Sequence, residues 1–314
     1  MEIRKVNWFF PVFIIGYFVL SILCSSVMLG LMNSGINVPD WIQYVLSEGI
    51  VLIIAIIYMI INRIDPFTDL GYRKIGFTDA VLSLVAGYCM IPMVLFISNI
   101  SMFFSTNYLE EGTNTLLTYP FLMQVILMAV IPPLVEELVF RGIFFGTYRK
   151  VGLCGAAIMS GLIFACFHLN INQALYAFAI GIVFAYMVEA TGSLWSSVIA
   201  HFAINTYSIG VIEILKLAGM YTADGEMAGA LAESGSAQAE TSLVANIVAL
   251  VFMAALAAGF MMLSVLCIRT MAKRHGRSLT LRCDNESVKN YLSLPVVIGL
   301  VMCIAYMILI EVVV

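Results

Sequence analysis

The chain has 314 residues, of which 62% are hydrophobic and 11% charged, and its formal net charge is −4. A soluble domain carries about a quarter charged residues and about half apolar ones, so lipid is the main solvent here and a water-soluble globule is excluded. The small negative charge gives no electrostatic footprint for nucleic acid.

The first apolar run follows Arg4 and Lys5 and extends from Trp8 to Met32. It is too long for a signal-peptide core and stays as a membrane anchor. A helix needs about 20 apolar residues to cross about 30 Å of hydrocarbon. On that template the spans are 8–32, 42–62, 79–103, 121–147, 153–170, 173–190, 193–216, 243–268 and 292–313. The expected fold is therefore all-α, a polytopic transmembrane helical bundle of nine spans, with eight as the other count because the fifth and sixth are short and nearly continuous. The whole chain, 1–314, reads as one membrane domain without internal repeats. The seven cysteines, Cys24, Cys89, Cys154, Cys166, Cys267, Cys283 and Cys303, show no CxxC spacing. They read as small buried hydrophobes rather than as a disulfide framework.

Basic residues set the orientation, because short cytoplasmic loops are enriched in them. With the N-terminus cytoplasmic, thirteen of the fifteen Lys and Arg fall on that side, and the exceptions are Lys216 at a span end and Arg141 within a span. The opposite side carries Asp40, Glu110, Glu111 and the segment 219–242, which holds Asp224, Glu226, Glu233 and Glu240 and no basic residue. That segment is rich in Gly, Ala and Ser and reads as a mobile acidic extracytoplasmic loop.

Most polar residues are explained by span ends, and five are not: Glu136, Glu137, Arg141, His168 and His201, with Asn205 beside the last. Such groups normally face the bundle interior or water and are functional candidates. Glu137 and Arg141 stand four apart with the acid first, the favourable order for an ion pair, and form a structural support. Adjacent helix residues point about 100° apart, so Glu136 and Glu137 are not expected to face one site. Pro132 and Pro133 remove two backbone donors just before Glu136, which must then find water or a partner from another span. Phe164 with His168, and His201 with Asn205, are i,i+4 pairs on two further spans. At about 1.5 Å per residue, Glu136 lies about 18 Å and His168 about 22 Å from the cytoplasmic ends of their helices, but His201 only about 12 Å.

A glutamate between apolar walls can act as general base on water, and histidines can bind a metal or donate to an oxyanion, with Asn205 as a further donor. These are parts for hydrolysing an amide. The sequence has no HExxH, no glycine-framed serine in a span and no pair of intramembrane aspartates, so the reagent is the Glu/His set. EExxxR at Glu136, Glu137 and Arg141, FxxxH at Phe164 and His168, and HxxxN at His201 and Asn205 resemble the CPBP family, the CAAX prenyl endopeptidases and bacteriocin-processing intramembrane proteases that include the Rce1-like and Abi proteins. The resemblance covers the core helices 121–216, with "LGYRKIGF" (Leu70–Phe77) similar to a short basic segment upstream; the acidic loop and the last span lie outside it.

By that resemblance Glu136 activates water, His168, His201 and Asn205 complete the site, and Glu137 and Arg141 support it. It implies an intramembrane endopeptidase of the bacterial plasma membrane, embedded in membrane lipid and acting on a peptide or lipoprotein substrate. His168, His201 and Glu136 make a zinc site or a metal-free one, and both stay open. A non-catalytic scaffold or immunity protein and a proton-coupled transporter are the other readings. The absence of matching repeats with broken helices argues against transport.

Overall fold

The computed structural model describes residues 2–105, 119–219, 243–281 and 291–313. Among them lie nine long or apolar helices: α1 (Ile3–Asn33), α2 (Trp41–Asn62), α3 (Phe77–Ser101), α4 (Phe121–Tyr148), α5 (Leu153–Phe167), α6 (Ile171–Thr191), α7 (Trp195–Leu217), α8 (Leu243–Arg274) and α9 (Leu294–Val313). No strand occurs among the described residues. The all-α, polytopic helical bundle is the expected fold. The two span counts meet in α5: eight helices are long and apolar enough to cross a membrane, and α5 is the short apolar ninth. Glu110, Glu111 and the acidic segment Asp224 to Glu240 fall outside the described residues.

Burial sorts the helices. Half of the apolar window of α6 and 44% of that of α4 are buried, against 11% for α1. A helix that is apolar all round belongs either in a core or in lipid, so α4 and α6 form the centre and α1 the rim. α3 packs on α7 and α8, α5 on α6 and α4, and α1 on α2 and α9. The residues of α4 from Leu138 to Phe145 are all buried. Their aromatic rings meet those of α1 and α5: Phe13 and Phe140 lie 6.4 Å apart edge-on, and Phe140 and Phe164 lie 5.0 Å apart.

The bundle is anchored at one end by a polar network. The buried carboxylate of Asp79, at the start of α3, accepts from Arg274 Nε at 3.1 Å and faces His275 Nε2 at 2.9 Å. Arg277 Nη1 donates to the carbonyl of Glu189. Residues 70–76 pass across the same end: Leu194 N donates to Gly71 O, and Ser193 Oγ donates to Arg73 O. One expectation is corrected here. Cys154 is disulfide-bonded, so the cysteines are not uniformly buried thiols; Cys24, Cys89, Cys166, Cys267 and Cys303 are free.

Gly87 sets the separation of α3 and α7, since a Cβ there would stand 2.5 Å from Ala200 O and 2.8 Å from Ala203 Cβ. Gly87→Ala should therefore cost about 1–3 kcal/mol by overpacking, read as a lowered melting temperature in detergent. Gly259→Ala on α8, where a Cβ meets nothing within 4 Å, is the control and should leave the melting temperature unchanged.

Candidate active site

α4 is built to be irregular. Pro132 cannot donate to the carbonyl four residues back, Met128 O, and Pro133 cannot donate to Met128 O from five back. The helix widens into π-helical turns at Val125–Val130 and again at Leu138–Phe145, a feature frequent at functional sites. Side chains from other elements supply donors to the α4 carbonyls. Asn205 Nδ2 donates to Met128 O at 2.9 Å, Tyr72 OH to Leu134 O at 2.9 Å, and Ser160 Oγ to Phe140 O at 2.7 Å. These bonds fix α7, the 70–76 segment and α5 around the stretch that carries the two glutamates.

Glu137 and Arg141 form the expected pair, with Nη1 2.9 Å from Oε1 and both side chains fully buried. Two aromatic rings enclose the guanidinium, Phe164 at 4.2 Å and Phe184 at 5.1 Å from its centre, a stacking that Arg favours over Lys. Small residues make the room: a Cβ on Gly181 would stand 2.8 Å from Gly161 Cα and 3.2 Å from Arg141 Nη2. Arg141 Nε and Nη2 and Glu137 Oε2 are buried without a hydrogen-bond partner among the described residues.

His201 joins the two acids. Its Nδ1 lies 3.1 Å from Glu137 Oε1 and its Nε2 3.6 Å from Glu136 Oε2. This corrects the expectation that neighbouring glutamates cannot face one site: a single imidazole carries nitrogens on two edges and spans the angle between the carboxylates. It also gives Glu136 its partner from another span. The depth mismatch of His201 disappears for a visible reason. The turn before α7 is covered by residues 70–76, and Leu194 is fully buried against Gly142. Gly142 lies six residues inside the end of α4, about 9 Å along the helix, so α7 begins well below the bundle end.

His168 caps the C-terminal end of α5. Its Nδ1 lies 2.8 Å from Phe164 O, and its ring stands edge-on to Phe164 at 4.6 Å. The next residue, Leu169, takes a left-handed conformation at φ 54°, uncommon for a bulky side chain. Its contacts with the core hold it there. No hydrogen bond or ion pair joins His168 to Glu136 among the described residues; the Phe164 ring lies beside both imidazoles, 4.6 Å from that of His168 and 5.9 Å from that of His201. Asn205 is nearby but engaged with Met128 O.

Sequence reasoning passed over Glu48, seven residues into α2. α2, which carries Glu48, packs against the Ile131–Glu137 segment of α4. Glu48 Oε2 is buried without a hydrogen-bond partner among the described residues. The signal was an ionisable residue inside a span. Phe184, in contrast, gave none, being one apolar residue among many.

For zinc, Glu136 and His201 offer two donors, and Glu137 on Nδ1 has the place of an outer partner. No cluster of three or more His, Cys, Asp or Glu is arranged to hold a metal among the described residues. The donor set as arranged does not fit a zinc centre, and no step below is derived through one.

Residues 118–207 match the family described as type II CAAX prenyl endopeptidase, Rce1-like. This segment, 90 of the 314 residues, is similar to that family. It contains every one of the motif residues Glu136, Glu137, Arg141, Phe164, His168, His201 and Asn205. A Bacillus subtilis (strain 168) protein named "Putative membrane peptidase YdiL" is 31% identical over 88 residues, covering 28% of this chain and 36% of that relative. The match thus spans about a third of the relative's length. No solved structure matches the chain.

Two outcomes follow for the Rce1-like segment. Arg141→Met leaves Glu137 buried without its counter-charge and should cost about 3–5 kcal/mol; Glu137→Gln in the same chain should recover much of that loss in thermal unfolding. Asn205→Leu strips Met128 O of its donor and should cost about 1–3 kcal/mol. Adding Pro132→Ala restores an N–H opposite that carbonyl and should return part of the stability, as a double-mutant cycle would measure.

Proposed function

We propose that the protein is an intramembrane endopeptidase that hydrolyses a peptide bond of a membrane-associated or lipidated substrate, with Glu136 as the base that activates water. One observation carries this reading: Glu136, otherwise without a charge partner on its own helix, faces the free edge of a histidine whose other edge rests on the buried Glu137–Arg141 pair.

The chemistry follows from the proton positions. Glu137, bonded to Arg141, accepts from His201 Nδ1–H, which leaves Nε2 towards Glu136, an assignment made from the hydrogen-bond pattern. Glu136 takes a proton from water as the water oxygen bonds to the substrate carbonyl carbon. That proton passes, directly or through Nε2, to the leaving nitrogen as the C–N bond breaks, giving a carboxylic acid and an amine. Glu137 stabilises the imidazolium formed on the way, the part an acid plays behind a catalytic histidine.

Phe164 O can only accept, so His168 carries its proton on Nδ1. A neutral His168 then offers an Nε2 lone pair and serves by orienting the attacking water. The second amide hydrogen of Asn205 is the donor for the oxyanion. The distribution of basic residues supports a cytoplasmic N-terminus, and the likeness to the Bacillus subtilis protein supports a bacterial plasma membrane.

Glu136→Gln should lower cleavage of a peptide library by about 100- to 10,000-fold, the range of a lost general base, while the melting temperature stays near that of the wild type. Equal cleavage by both proteins would overturn the assignment. Metal analysis beside the same assay is expected to find activity independent of bound zinc. Stoichiometric zinc that disappears with Glu136→Gln would instead make Glu136 a ligand. Proton-coupled uptake in vesicles without proteolysis would replace the peptidase reading by transport.

A further inference from the structure

Between α1 and α2 lies a cleft of about 370 Å³. Its α1 wall presents Tyr17, Ser21 and Ser25, one turn apart each, and its α2 wall presents Gln43 and Ser47. The rest of the outer surface of α1 is what lipid contact requires: Val12, Ile15, Val19, Ile22, Leu23 and Val27 are all exposed and apolar. Outside the cleft the exposed hydroxyl of Ser26 is bonded to Ile22 O of its own helix, so hydroxyls and an amide on facing helices meet only across the cleft.

The cleft leads to the site. At its inner end Tyr17 OH and Ser47 Oγ are 3.1 Å apart. The Tyr17 ring stands edge-on to Phe167 at 5.2 Å, and Phe167 precedes His168. Ser47 lies on α2, which packs against the Ile131–Glu137 segment of α4 that carries Glu136.

We propose that this cleft is the docking groove for an unwound stretch of substrate peptide, gripped by its backbone on the way to Glu136; the proposal rests on the peptidase reading above. In a helix every backbone group is satisfied within the segment, whereas an unwound segment in hydrocarbon leaves N–H and C=O groups without partners. Hydroxyls donate and accept, and an amide does both, so the lining suits a peptide backbone of any sequence. Met28, Leu29, Met32, Leu46 and Ile50 of the same cleft meet the apolar side chains of such a peptide, whereas an acyl chain would leave the hydroxyls and the amide unused.

The test uses the full chain in phospholipid nanodiscs, carrying Glu136→Gln so that nothing is cut. The probe is a synthetic membrane-spanning peptide with a Gly-Pro break at its middle. A photoreactive residue placed at position 21, 25 or 43 should capture the peptide, and the same residue at Val19 on the lipid face should not. Capture at position 43 should fall about tenfold when Ser25→Leu is added, and unbroken, fully helical peptide should be captured poorly. In the cleaving protein Ser25→Leu should raise KM for the broken peptide with little change in kcat, the signature of lost binding rather than lost chemistry. Adducts with phospholipid alone at positions 21 and 25, or equal peptide capture at Val19, would overturn the groove. Peptide captured in the groove but never cut by the chain with Glu136 intact would leave the groove standing and sink the peptidase reading.

Discussion

The Glu137–Arg141 pair is the constraint around which the central helices are arranged. Two full charges without solvent contact must neutralise one another, since either alone would be strongly destabilising. Here the acid reaches Arg141 on its own helix and His201 on α7, and the guanidinium lies between Phe164 of α5 and Phe184 of α6. Four helices are thereby held to one pair of charges. The glycines follow from the same need, since Gly161 and Gly181 bring α5 and α6 close enough for the rings to close on Arg141.

A second device holds α4 itself. Ordinary helices keep their carbonyls for their own backbone, and so neighbours can grip them only by side-chain packing. The prolines and π-helical turns change that, and Asn205, Tyr72 and Ser160 each place a donor on an α4 carbonyl. Hydrogen bonds are directional where apolar contact is not. The glutamates are therefore positioned in rotation and depth, against three separate elements, in a medium where packing alone would allow sliding.

This explains what could be read from the sequence. Spans are a matter of apolar length, and nine helices appear close to where length put them; α5 divided the count because its 15 residues fall short of a full crossing. The Glu137–Arg141 pair was legible because both ends lie on one helix four residues apart. The contact of Glu136 with His201 was not, since it depends on how deep α7 begins, and that is set by the 70–76 segment burying the preceding turn. Glu48 stayed hidden for a related reason. Its spacing along α2 places it within a span, but only the packing of α2 against α4 brings that helix beside the segment carrying Glu136.

The geometry joins the supporting pair to the proposed reacting set. Glu137 was assigned to support, yet the same Oε1 that meets Arg141 also meets His201 Nδ1. By accepting that hydrogen bond it fixes which nitrogen of His201 carries the proton, and thus which edge is offered to Glu136. Arg141 acts one step further back, as the charge partner of Glu137. On the proposed peptidase reading, the counter-charge to a proton arriving on Nε2 is already in place behind the ring, and the buried ion pair that braces the bundle also orients His201 towards Glu136.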